Sequence, residues 1–102
     1  MITIKKARTY HGVQVREVLC GPELQEDGVS YDLRRWPEQT DWILVRRTAA
    51  EHIGDFPQYD YLARSPLREM KNQLPQLIRQ AKKKASRMKA IRRKKETIHP
   101  SM

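Results

Sequence analysis

Acidic residues are almost missing from the last third of this 102-residue chain. Residues 63–102 hold two, Glu69 and Glu96, against thirteen Lys or Arg, a net charge of +11, whereas residues 1–62 hold ten against eight, a net of −2. A face kept charged only for solvation mixes both signs, so this segregation argues for a polyanionic target. Cysteine is scarce too. Cys20 stands alone, which excludes an internal disulfide and a disulfide-stapled secreted fold, and favours a reduced, cytoplasmic setting. No apolar run approaches the roughly 18 residues of a membrane span, and the opening MITIKKARTY lacks the apolar core of a signal peptide. Phe, Tyr and Trp are absent from residues 66–99, so a basic helix there has no aromatic anchors for a bilayer interface, and no membrane partner is expected.

The constellations that reactions need are missing as well. His11, His52, His99 and Cys20 are too scattered for any metal-ligand spacing. There is no nucleophile with a plausible base, no Gly-rich phosphate loop and no metal-binding carboxylate pair. Asp55 and Asp60 near His52 are what chance provides in a chain this charged. The expectation is a protein that is not an enzyme and needs neither metal nor cofactor.

The length leaves room for one small domain with a modest core. Residues 2–20 alternate as a strand pair does, with His11-Gly12 as a two-residue hairpin loop, because Gly accepts positive φ freely and His better than most residues. That register sets Ile4 opposite Leu19, Lys6 opposite Glu17, Arg8 opposite Val15 and Tyr10 opposite Val13. One face then carries Ile2, Ile4, Tyr10, Val13, Val15 and Leu19. Gly21-Pro22 ends the hairpin, and Glu23 to Gly28 is a polar connection.

Two more strands follow, from Val29 to about Trp36 and from Trp42 to Arg47. Closing them through residues 37–41 sets Trp36 opposite Trp42, Arg34 opposite Leu44 and Asp32 opposite Arg46. Tyr31, Leu33, Ile43 and Val45 then form the inner face. Thr48-Ala49-Ala50-Glu51 has the form of a capping box and predicts a short helix stopped by Gly54. Residues 55–64, interrupted by Pro57, read as irregular and packed over the sheet edge.

Ser65-Pro66 opens a long helix, with Ser as N-cap and Pro at the first helical position. Leu67, Met70, Leu74, Leu77, Ile78, Ala81, Ala85 and Met88 form one stripe that stays in phase across Pro75, which predicts a kink rather than a break. After Met88 the stripe positions become Arg92 and Lys95, so the helix leaves the body of the protein there. The predicted fold is α+β: an antiparallel meander of about four strands over residues 1–64 with a short helix, an amphipathic helix over 65–91, and a basic tail over 92–102.

The densest basic stretch, KKKASRMKAIRRKK, places Lys82, Lys83, Lys84, Arg87, Lys89, Arg92, Arg93, Lys94 and Lys95 within fourteen positions that hold no acid. Such a row can track phosphates without specifying a base. Arg34, Arg35, Trp36, Trp42, Arg46 and Arg47 form a possible secondary patch on which bases could stack, although a structural Trp pair, with Asp32 against Arg46, is the preferred explanation. Two functions fit. The first is a non-catalytic nucleic-acid-binding or nucleoprotein-assembly protein using the basic helix on DNA or RNA. The second is a small accessory or inhibitor protein, of virus or plasmid type, whose basic helix enters an acidic or nucleic-acid-binding surface of a larger enzyme.

Overall fold

The structure is a computed structural model that describes residues 2–50 and 52–97, with helix side chains described through Ser86. His11 and Gly12 both take positive φ, 51° and 80°, the conformation of the two-residue turn whose twist matches that of its flanking strands. It joins β2 (Arg8–Tyr10) to β3 (Val13–Leu19), with Arg8 opposite Val15 and Tyr10 opposite Val13 as the sequence predicts. Before it, the expected register slips. β1 (Thr3–Ile4) pairs Thr3 with Leu19 and Ile4 with Val18. Four residues on this side therefore span three on β3.

The extra residue, within segment 5–7, turns the two short strands to opposite faces, because a one-residue shift flips every following side chain. Ile4 joins the core with Ile2 and Val18, while Tyr10 lies on the other side of the sheet with Val13 and Val15. The predicted single wall is thus divided between two faces, and Leu19 is exposed. Glu17 pairs with Lys5 at 3.4 Å and Arg8 at 3.1 Å rather than with Lys6.

β4 (Val29–Arg35) and β5 (Trp42–Thr48) continue the antiparallel sheet, and β6 (Gln58–Ser65) closes it in the order β1-β3-β4-β5-β6, with β2 also on β3. The β4/β5 register is one residue from the predicted one: Leu33 faces Leu44, Tyr31 faces Arg46 and Asp32 faces Val45. The slip places Trp42 and Leu44, rather than Ile43 and Val45, on the helix side with Tyr31 and Leu33. A six-residue connection, with the Gln39 N–H donating to the Trp36 carbonyl at 3.0 Å, accommodates it.

β6 replaces the irregular segment expected there, and the short helix is not found among the described residues of 49–57. Glu51 itself lies outside them. Thr48 cannot cap a helix because it is the last rung of β5, opposite both Val29 and Gln58. Sheet pairing has overridden a local capping signal.

The helix α1 (Leu67–Thr97) lies across one face of the sheet, and Pro75 sits inside it without dividing it. The Met70 N–H donates to the Pro66 carbonyl at 2.9 Å, so Pro66 holds the cap position expected of Ser65. Ser65 is buried at the end of β6, where its hydroxyl donates to Gln73 Oε1 at 3.3 Å. Met70, Leu74 and Ile78 pack against Val18, Leu24, Tyr31, Leu33, Trp42 and Leu44, with Leu67 and Leu77 at the margin. Each fully buried aliphatic side chain contributes about 1.5–3 kcal/mol relative to exposure. The predicted apolar stripe is real from Leu67 to Ala85; Met88 lies outside the described side chains.

Candidate nucleic-acid interface

A 31-residue helix is about 46 Å long at 1.5 Å per residue, whereas an eight-residue strand spans only about 26 Å. The helix therefore outruns the sheet, and the molecule measures 55 × 29 × 22 Å. Among its described side chains, the last that is fully buried is Ile78. One turn later Lys82 Nζ donates to the Glu23 carbonyl at 3.0 Å, fastening the helix to the turn between β3 and β4. Lys82 is thus partly engaged with its own domain, while Lys83 and Lys84 are exposed. Arg79, Lys82, Lys83 and Ser86 line a hollow of about 700 Å³ beside Glu23 and Leu24. The side chains of Arg87, Lys89, Arg92, Arg93, Lys94 and Lys95 lie outside the described residues, although the helical backbone runs through all six.

The predicted secondary patch does not form one surface. Trp42 is buried on the helix face, and the guanidinium groups of Arg16 and Arg35 lie 5.2 and 5.5 Å from its ring centroid. Arg35 Nε also donates to Gln14 Oε1 at 3.0 Å. Trp36 does not face Trp42 because the register slip puts Arg35 in that place.

Arg46 is buried as well. Its two terminal nitrogens donate to the Glu26 carboxylate at 2.9 and 3.3 Å, and Nη1 also donates to the Tyr31 hydroxyl at 2.7 Å. Burial alone would lower the Arg46 pKa, but the Glu26 hydrogen bond and neighbouring Tyr31 outweigh it and hold the group above its ordinary value. Burial pushes the Tyr31 hydroxyl above its usual 10.0, an effect Arg46 partly offsets. The trio pins the 20–28 connection to the sheet. These three members of the patch, Arg35, Trp42 and Arg46, are therefore packing residues.

Arg34, Trp36 and Arg47 instead meet on the face of the sheet that carries no helix. There they join residues not assigned to any site by the sequence: Arg8, Tyr10, His11 and Tyr59, around Val13 and Val15. Together with Asp32 these enclose an open groove of about 450 Å³. The Arg34 guanidinium lies 5.1 Å over the Tyr59 ring and 3.6 Å from Asp32 Oδ2. The alternation of Tyr59 and Tyr61 around Asp60 was the signal that could have found this part of the site; it is the period of a strand.

Among the described residues no three His, Cys, Asp or Glu side chains converge to hold a metal ion, and no helix is long and apolar enough to cross a membrane. No family model, no curated protein and no solved structure matches the chain.

Proposed function

We propose that this is a non-catalytic nucleic-acid-binding protein of the cytoplasm that holds phosphates with the projecting part of α1. The observation that carries the proposal is the coincidence of two boundaries. Among the described side chains of the helix none beyond Ile78 is fully buried, and the unrelieved basic stretch starts at Lys82. From Lys83 to Thr97 the helix extends about 22 Å, enough to follow several phosphates on one strand. The sheet and the first half of the helix act as a mount, and a bend at Pro75 sets the direction of the arm. Affinity comes from counterion release and carries no base preference of its own.

A salt titration of binding to a labelled duplex tests this. Log affinity falls linearly with log salt, with a slope of about −4 to −6 for five to seven neutralised phosphates. Exchanging Lys83, Lys84, Arg87 and Lys89 for Gln lowers the magnitude of that slope by up to about 4. Failure to bind at about 50 mM salt refutes the proposal. If a nuclease-treated pull-down recovers one stoichiometric protein partner instead, the arm serves the accessory or inhibitor function.

A further inference from the structure

The helix covers one face of the sheet, and none of the other described elements packs on the opposite one. An exposed sheet face ordinarily alternates with the buried one by presenting charged and small polar residues. This face presents rings. Tyr10, Tyr61 and Tyr59 are 66%, 61% and 42% exposed, and Trp36 and His11 stand beside Tyr10 and Tyr59 at the groove.

Two irregularities in the outer strands put the tyrosines there. The extra residue before Arg8 sends Tyr10 to this side. On the other edge the β5/β6 ladder shifts between Leu44, opposite Ala63, and Val45, opposite Tyr61, so Leu62 has no partner of its own. Leu62 packs toward the core with Ala63. Tyr61 and Tyr59, opposite Val45 and Arg47, are thereby re-aimed outward. Without this bulge both would fall on the helix face.

The groove is also cationic. Arg8, Arg34 and Arg47 line it; Glu17 pairs with Arg8 at 3.1 Å and Asp32 with Arg34 at 3.6 Å, which leaves the excess charge on Arg47. Arg34 stacks on Tyr59, and its Nε is shielded from water without a hydrogen-bond acceptor. Exposed rings interleaved with guanidinium groups complement unpaired bases and their phosphates, because every base has a face that can stack and each linkage carries a negative charge. A duplex, whose bases are already stacked on one another, offers such a surface only its phosphates.

We infer that the open face of the sheet is a stacking platform for single-stranded nucleic acid. This rests on the nucleic-acid function proposed above, with the arm and the platform engaging one strand. The arm supplies charge without discrimination, and the platform discriminates single strand from duplex.

The test uses the full chain, with labelled oligothymidylate, oligouridylate and a duplex of equal length. Tyr59→Ala with Tyr61→Ala weakens single-strand binding at least about 10-fold, since stacking is worth about 5- to 150-fold per base. Duplex binding stays within twofold, and Tyr59→Phe with Tyr61→Phe retains parental affinity because the ring, not the hydroxyl, stacks. Arg47→Gln, which spares every ring, lowers the single-strand salt slope by about one and serves if the alanine pair does not fold. Equal affinity for the two oligomers supports stacking alone; a preference for one keeps the platform and is assigned to the sugar if oligodeoxyuridylate binds as oligothymidylate does, or to the thymine methyl if it binds as oligouridylate does.

Parental single-strand affinity in the alanine pair overturns the platform and leaves the arm standing, as does an equal loss toward duplex and single strand. Conversely, loss of single-strand binding in that pair, with no effect of the Gln arm variant on any probe, removes the arm and retains the platform. If the parent binds none of the probes and a nuclease-treated pull-down returns a protein, both fall.

Discussion

Arg46 and Arg47 are neighbours in the chain and, in sequence, equally plausible contacts for phosphate. The structure gives them opposite fates, and substituting each with Met separates them. Arg46→Met removes three hydrogen bonds from an environment where its own side chain is 7% exposed and that of Glu26 is 16% exposed. Breaking a buried pair by removing one partner costs about 3–5 kcal/mol. Glu26 can regain some water, so the lower end applies. About 3 kcal/mol is a factor of roughly 150 in the folded-to-unfolded ratio and lowers the melting temperature by about 12–24 °C in a domain of this size. Adding Glu26→Met and Tyr31→Phe recovers most of the loss, because no charged or polar group is then left buried alone.

Arg47→Met changes stability by no more than about 0.5 kcal/mol, as expected of an exposed site. It weakens single-strand binding, which Arg46→Met, held below its melting temperature, does not. Urea unfolding followed by tryptophan emission, and anisotropy with the oligothymidylate probe, measure the two effects. The reasoning fails if Arg46→Met unfolds within about 0.5 kcal/mol of the parent, or if the triple variant is no better than the single one.

The remaining expectations concern the scaffold. Leu74 is 1% exposed at the centre of the helix contact, so Leu74→Ala destabilises by about 2–5 kcal/mol in urea; under about 1 kcal/mol would mean that α1 does not rest on the sheet. Gly12 has a φ of 80° and nothing within 4 Å of a built Cβ, so Gly12→Ala costs only the backbone penalty of about 1–2 kcal/mol, read as a shift in the urea midpoint. Burial raises both the Cys20 thiol above its usual 9.0 and the Tyr31 hydroxyl above its usual 10.0. A raised folded-state pKa means stability is complete below the unfolded value and is lost as pH climbs through the folded one. Urea midpoints therefore decline above pH 9 and further above pH 10, with Cys20→Ala removing the first part and Tyr31→Phe the second.

Local chemistry was legible where it was decisive. His11-Gly12 announced its turn, and the Leu67 to Ala85 stripe announced a helix with a buried side, because those signals involve few residues close in sequence. β6 was hidden by the very bulge that makes it useful: Tyr59 and Tyr61 alternate correctly, but Leu62 and Ala63 then share a side, and the period of two is lost. The β4/β5 register depends on where the helix presses and on Glu26 reaching Arg46 from twenty residues away. No pattern within the hairpin encodes either. For the same reason the patch around Trp36 and Trp42 could be proposed as a cluster but not divided into its two faces.

The two outer strands each contain one residue more than their partners need, and a strand counts only odd and even. Removing Leu62 would leave Ala63 opposite Leu44 and Tyr61 opposite Val45 in an unbroken ladder, so Tyr59 and Tyr61 would still face outward. Removing one residue from Lys5 to Ala7 would likewise leave Tyr10 opposite Val13. Whether this sheet has a working surface is thus written in how each edge strand places its surplus residue: set aside as a bulge it leaves the rings outward, and taken into the ladder it turns them toward α1.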